Sequence, residues 1–176
     1  METNEWRFNR IVVGIDGSAG ARRAVHWTIA LAKRTGAEIF AVHIGQPILN
    51  DLTVYGYATP APLPDWQDEV RGLFQEQWCS PLRKSGLPFR TVFDEGPAGP
   101  QLLEVADREG AGLIVTGSRG LGPVREVILG SVSHYVAQHA DVPVVVVPPD
   151  RHARQLAARP AVANEPVPFP ATPVLS

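Results

Sequence analysis

Five short runs of apolar and β-branched residues recur along this chain, and each pair of runs is separated by a segment with helical periodicity. Continuous apolar runs are typical of strands that are buried on both faces of a parallel sheet. The predicted strands are residues 11–15, 38–44, 88–93, 113–116 and 143–148, and the predicted helices are residues 19–34, 65–84, 100–108 and 131–139. The alternation predicts an α/β fold, with a five-stranded parallel sheet and helices on both faces in three α/β/α layers.

The chain divides by composition into one domain and two flanking segments. Its 176 residues suit a single domain, which we place at residues 10–149 after a polar extension at residues 1–9. Residues 150–176 are rich in proline and alanine and have no apolar period, which predicts a flexible tail. Residues 45–64 hold four prolines and predict a long loop, which is a lid, an interaction surface or a plain insertion.

The overall charge and the cysteine content narrow the class of protein. A net charge of −2 argues against a nucleic-acid partner. The sequence holds one cysteine, Cys79, and no apolar run long enough to cross a membrane. The first residues do not have the pattern of a signal peptide, so we expect a protein of the cytoplasm with no membrane partner.

Two glycine- and serine-rich clusters follow the fourth predicted strand. The first is Gly117-Ser118-Arg119-Gly120, and nine residues separate it from Gly130-Ser131-Val132-Ser133, which opens a helix. Glycines between a strand and a helix let backbone N–H groups approach an anion closely. We interpret the clusters as a phosphate site and expect alanine at Gly117 or Gly130 to weaken binding while leaving the fold largely intact.

Three loops are expected to meet at one edge of the sheet, because the carboxyl ends of parallel strands lie together. These loops are residues 14–18, 44–45 and 117–120. Asp16 would accept hydrogen bonds from a ribose or an adenine amino group, or help to hold a metal, or only cap the first helix with Ser18. Ser131 and Ser133 either cap a helix or bind phosphate, and Arg119 either contacts phosphate or is solvated.

Several established chemistries have no matching motif. The sequence lacks a P-loop, a complete dinucleotide-binding glycine motif and the nucleophile elbow of serine hydrolases. The histidines show no zinc-ligand spacing, and His43 is expected to be a packed or capping residue within a strand. We therefore predict no metal site and no catalytic residue.

The same residues resemble the universal stress protein family, in its ATP-binding branch. The resemblance covers about residues 10–149, through the first strand with Asp16-Gly17-Ser18, the end of the second strand, the two glycine clusters and the last strand. It implies an adenine-nucleotide α-hydrolase-like fold that binds ATP, with or without Mg²⁺, and a homodimer formed through the last strand, Val144–Val147. The implied binding residues are Gly14, Asp16, Ile44, Gly117, Arg119, Gly120, Gly130, Ser131, Val132 and Ser133. Asp16 would contact adenosine, the Ile44 backbone would contact adenine, and the glycine clusters would surround ribose and phosphates.

The leading hypothesis is a cytoplasmic ATP-binding regulator of the stress response, in which the bound nucleotide biases a dimer surface or a surface for an unknown protein partner. One alternative is a slow ATP-hydrolysing or nucleotidyl-transfer enzyme that uses Asp16 and Mg²⁺. Another is an interaction module that acts without nucleotide. The tail, and Pro123 with Arg125-Glu126 in the spacer, depart from the pattern of the family.

Overall fold

A computed structural model of the chain describes residues 8–45, 66–118, 120 and 129–150. The predicted tail beyond residue 150, most of the predicted 45–64 loop and most of the N-terminal extension lie outside the described residues. Arg119 and residues 121–128 of the spacer also lie outside them.

The sheet has five parallel strands in the order β3-β2-β1-β4-β5, which confirms the predicted α/β fold. The strands are β1 (Arg10–Gly14), β2 (Glu38–Gly45), β3 (Phe89–Glu95), β4 (Leu113–Gly117) and β5 (Val144–Val147). Val12 lies at the centre, paired in register with Phe40 of β2 and Ile114 of β4. Residues 11–13 of β1 are buried, and β1 is covered on both faces of the sheet, which accounts for their continuous apolar sequence.

Helices cover both faces of the sheet. They are α1 (Ala19–Thr35), α2 (Trp66–Leu73), α3 (Ser80–Ser85), α4 (Ala98–Arg108) and α5 (Ser131–His139). One core forms between the sheet and the side that carries α1 and α3, and includes Val13, Val25 and Leu82. The other forms on the side that carries α4 and α5, and includes Val12, Leu102 and Val136.

The second helical region differs from the single helix predicted at residues 65–84. A π-helical segment, Phe74–Trp78, separates α2 from α3. Pro81 lies in the first turn of α3, where a missing N–H costs nothing. The π-helical segment brings Phe74 into the core and holds Trp78 against the β1–α1 turn.

The strand order reverses between β1 and β4. The chain goes from β1 to β2 on one side and later returns to β4 on the other. Open parallel sheets bind ligands in the crevice that forms at such a point, beyond the carboxyl ends of the strands. The loops that begin at Ile15 and Ser118 border this crevice.

Candidate functional site

Asp16 lies at the crevice and uses only part of its carboxylate to shape the β1–α1 turn. Its Oδ1 accepts a hydrogen bond from the Ser18 N–H at 2.9 Å. The Ser18 hydroxyl in turn accepts from the Ala21 N–H at 3.0 Å, so Ser18 is the residue that caps α1. The second carboxylate oxygen of Asp16, Oδ2, is directed at Gly120.

Gly120 brings the chain after β4 against that carboxylate. A Cβ atom on residue 120 would overlap Oδ2 of Asp16, so a side chain there would force the Asp16 carboxylate to move. The loops after β1 and β4 therefore converge, with glycine backbone facing a carboxylate oxygen. This arrangement leaves both groups at the wall of one crevice.

The start of α5 is uncapped, in contrast to the start of α1. Its N-cap residue is Gly130, and no side chain accepts from the first turn. The Ser133 hydroxyl instead donates back to the Gly130 carbonyl at 3.0 Å, and Ser131 is exposed. The first N–H groups of a helix have no partner within the helix, and the helix dipole makes this end attractive to anions. Neither Ser131 nor Ser133 therefore caps α5.

Gly130 is also tied to the first glycine cluster. Its N–H donates to the Ser118 carbonyl at 2.7 Å, and the Ser118 N–H donates to the Val147 carbonyl at 2.8 Å. Val132, the next residue but one, packs on the core beneath α5. These contacts hold the start of α5 next to the end of β4, beside the crevice.

Two buried hydroxyl groups at the end of β4 have no hydrogen-bond partner within the part of the chain that the structure describes. They are Thr116 Oγ1 and Ser118 Oγ, on residues that are 4% and 5% exposed. A buried hydroxyl without a partner costs about 1–3 kcal/mol. Alternation along β4 places both on the α4 and α5 side, with Ile114. Sequence reasoning included Ser118 only as part of its cluster and missed Thr116.

The backbone of Ile44 lies where the ladder between β1 and β2 ends. Even-numbered residues of β2 bond towards β1, as the bond from the Ile15 N–H to the Val42 carbonyl at 2.8 Å indicates. The next bond of a parallel ladder would join the Ile44 N–H to the Ile15 carbonyl. That carbonyl contacts Nδ1 of His43 at 2.7 Å instead. Ile44 therefore turns polar backbone groups towards the crevice beyond the end of β1.

His43 is a packed histidine, as expected from its position in a strand. Its ring lies 5.2 Å from the rings of Trp78 and Phe93 and 5.7 Å from that of Phe74, measured between centroids. Since a carbonyl only accepts, the contact with Ile15 requires that Nδ1 carries the proton. The structure thus gives His43 a positioning role at the crevice that the sequence did not indicate.

Gly117 is required for close packing against α1, whereas Gly14 lies in a tighter than usual but adjustable contact with α4. A Cβ on Gly117 would lie 2.5 Å from the carbonyl carbon of Gly20 and 2.9 Å from the Ala21 nitrogen, in the backbone of α1. A Cβ on Gly14 would lie 3.2 Å from a methyl group of Leu102. The expectation that alanine at Gly117 leaves the fold intact conflicts with the first set of contacts, because helix backbone cannot move aside as a flexible side chain can.

The described part of the chain brings together Asp16, Ile44, Gly120 and the Gly130 cluster at one edge, and Arg119 lies outside it. Within that part, no group of three or more histidine, cysteine, aspartate or glutamate residues is arranged to hold a metal ion. Of the helices described, none is long and apolar enough to cross a membrane.

The fold and this edge define an open parallel α/β domain with a crevice at its switch point. The model of the universal stress protein family matches residues 7–148, and the chain belongs to that family. Universal stress protein YxiE of Bacillus subtilis is 33% identical over 146 residues, which cover 80% of this chain and 99% of that protein.

Solved structures of family members have the same fold. One is a universal stress protein in complex with cAMP, with a TM-score of 0.58 and 23% identity over 81% of this chain and 98% of that one. Another is a family protein from Arabidopsis thaliana with AMP bound, with a TM-score of 0.54 and 20% identity over 82% of this chain and 94% of that one.

Proposed function

We propose that this protein binds ATP in the crevice between β1 and β4 and acts as a nucleotide-dependent regulator of the stress response in the cytoplasm. The observation that carries the proposal is the close approach of Gly120 to Oδ2 of Asp16, next to the uncapped start of α5. A carboxylate acceptor beside a site for anions matches the two ends of a nucleotide. The family members that hold cAMP and AMP support an adenine nucleotide.

Different residues of the crevice bind different parts of the nucleotide in this proposal. The ladder-free backbone of Ile44 offers a donor and an acceptor to the edge of an adenine ring. Oδ2 of Asp16 accepts from hydroxyl groups of the ribose. The first N–H groups of α5, at Ser131, Val132 and Ser133, bind the phosphates, and Gly130 leaves the start of that helix without a side chain.

The two unpartnered hydroxyl groups at the end of β4 are consistent with a polar ligand in the crevice. Thr116 and Ser118 are buried at the edge of the crevice, and their hydroxyl groups have no acceptor among the described residues. A bound phosphate or ribose, or the water around it, would satisfy them at little cost. We propose that Arg119 adds charge to the phosphate site, and that any Mg²⁺ is bound mainly by the phosphates of ATP.

We propose that the protein binds ATP and does not hydrolyse it rapidly. Phosphoryl transfer requires a group that orients the nucleophile and cations that neutralise developing charge. Asp16 is the one described carboxylate that we assign to the crevice, and it already supports the β1–α1 turn through Oδ1. ATP would instead stabilise one arrangement of the surrounding loops, which a partner protein then recognises.

We also propose that two copies associate through β5. It is an edge strand, and three of its four valines are only partly buried. The carbonyls of Pro143 and Val147 bond to β4, so the backbone of Val144 and Val146 faces outwards. Val146→Pro would remove one outward N–H and spare the bonds to β4. We expect a dimer by light scattering for the wild type and a monomer for Val146→Pro, and a monomeric wild type would contradict the proposal.

Mass spectrometry of nucleotide released from the purified full-length chain tests the ligand. We expect an adenine nucleotide in amounts comparable to the protein. Calorimetric titration with ATP, ADP, AMP and cAMP then ranks the ligands, and saturable binding with ATP the tightest supports the proposal. Absence of binding to all four would contradict it and favour the nucleotide-independent module.

A further inference from the structure

A second cleft lies beside the β1–α1 turn, on the side of the sheet that carries α1 and α3. Its volume is about 350 Å³. Its walls include Gly17, Arg22 and Val25 from the start of α1, and Gln77, Trp78 and Pro81 from the second helical region. Ile15 and Ser18, on either side of Asp16, also line it. The unpartnered hydroxyls of Thr116 and Ser118 lie on the opposite side of the sheet, so this cleft and the proposed nucleotide site meet only at the β1–α1 turn.

The indole of Trp78 forms a fixed aromatic wall of the cleft. Gly17 has a φ of +80°, and a Cβ atom there would lie 2.6 Å from Cζ2 of Trp78, so the ring packs directly on glycine backbone. The ring also makes edge contacts with His43 and Phe74, at 5.2 and 6.4 Å between centroids. An aromatic wall that is already ordered loses little entropy when a ligand packs on it.

The opposite rim of the cleft is cationic. Arg22 is exposed, and among the described residues no carboxylate forms an ion pair with it. A groove with an aromatic wall is suited to proline-rich segments, which have a preformed extended conformation and present flat apolar rings. An acidic residue next to such a segment would complement the guanidinium of Arg22.

The chain leaves the sheet close to this cleft. Arg23 Nε donates to the carbonyl of Pro148 at 3.1 Å, and its guanidinium pairs with Asp150 at 3.5 Å. Arg22 is the preceding residue of α1, and its side chain lines the cleft on another flank of the helix. Asp150, the last described residue, therefore lies about one helix width, roughly 10–12 Å, from the cleft.

We propose that the cleft binds the chain's own residues 165–170, Glu165-Pro166-Val167-Pro168-Phe169-Pro170, named here the 165–170 segment. Glu165 pairs with Arg22, and the prolines with Phe169 pack on Trp78 and Pro81. The inference goes beyond the proposed nucleotide binding and does not depend on it.

The length of the connection suits this docking. Residues 151–164 separate Asp150 from the segment, and a flexible chain of that length has a root-mean-square span of about 20 Å. That span is long enough to pass around α1 and short enough to keep the segment near the cleft. Such a tether gives an effective concentration on the order of millimolar, so even weak contacts would keep the cleft largely occupied.

A spin label on the tail tests the proposal in the full-length chain. Ala171→Cys accepts the label next to the segment, while Cys79 is buried and its pKa is raised to about 11, so it stays unlabelled at neutral pH. We expect the label to remove the indole N–H signal of Trp78 from ¹⁵N spectra. Phe169→Ala or Arg22→Glu should restore the signal, and adding Glu165→Arg to Arg22→Glu should remove it again. Lys33→Glu, at the far end of α1, is the matched control and should leave the loss unchanged.

Two results would overturn the proposal. One is a Trp78 signal that the label on the full-length chain does not change. The other is an equal loss of signal in a mixture of two chains, one with the spin label and no ¹⁵N and one with ¹⁵N and no spin label. Docking of a second copy's tail would then explain the loss.

Discussion

Oδ2 of Asp16 lies so close to Gly120 that a Cβ atom at residue 120 would have to displace the carboxylate. The other oxygen of the same carboxylate holds the Ser18 N–H at 2.9 Å. One residue thus organises the start of α1 and presents a charged acceptor at the crevice. Substitutions at Asp16 and at the neighbouring glycines should separate these two roles.

Gly120→Ala should weaken ATP binding by about tenfold or more, equivalent to about 1.4 kcal/mol. The new methyl group would displace the Asp16 carboxylate from the crevice, at a cost typical of overpacking. Calorimetric titration measures the effect. Gly72→Ala is a suitable control, because nothing lies within 4 Å of the position that its new methyl group would take and the helix tolerates alanine. Equal affinities for the two variants would contradict the assignment.

Gly117→Ala should lower the free energy of unfolding, by about 1–3 kcal/mol. Its Cβ would meet the backbone of Gly20 and Ala21, so α1 must shift away from β4. Urea unfolding followed by circular dichroism measures the change. An unchanged midpoint would show that α1 moves without cost and that Gly117 has no packing role.

His43→Phe should keep the aromatic packing but remove the donor to the Ile15 carbonyl. We expect a loss of about 1 kcal/mol of stability. The freed carbonyl can then accept from the Ile44 N–H and extend the ladder, which lowers ATP affinity. Hydrogen exchange at the Ile44 amide tests this. We expect the amide to exchange fast in the nucleotide-free wild type, and more slowly both in the variant and in the wild type with ATP. A protected Ile44 amide in the nucleotide-free wild type would contradict the account.

Cys79 should be unreactive towards thiol reagents at neutral pH in the folded protein. Burial raises the pKa of its thiol from 9.0 to about 11, with nearby Arg83 opposing the change. Because the pKa is higher when folded, the stability linked to this proton is fully present below about pH 9 and is lost as the pH rises towards about 11. Reaction with a chromogenic disulfide measures the thiol. Rapid modification under native conditions at neutral pH would refute the prediction.

The regular elements could be predicted because their signals are local. Strands such as β1 and β4 are short apolar runs, and α1 has Ser18 and Gly36 as clear caps. Parallel topology follows from the βαβ alternation, and it brings Asp16 and Gly120 to one edge. The two glycine clusters were expected at the same edge because they follow β4 and open α5.

Tertiary contacts account for what the sequence could not predict. The π-helical segment at Phe74–Trp78, which divides the helix predicted at residues 65–84, has no distinct local composition. The clash of a side chain at Gly117 with α1 depends on how two elements pack. The bond from His43 to Ile15 depends on a ladder that ends one residue early.

Asp16→Asn tests the central claim most directly. The amide oxygen can still accept from the Ser18 N–H, so the turn should persist, while the charged acceptor facing Gly120 is lost. Calorimetric titration of ATP into the wild type, Asp16→Asn and the control Asp107→Asn, an exposed position on α4, compares the three affinities. We predict saturable binding by the wild type and by Asp107→Asn, and binding at least about tenfold weaker by Asp16→Asn. Equal affinity in all three proteins, or no saturable binding by the wild type, would contradict the account.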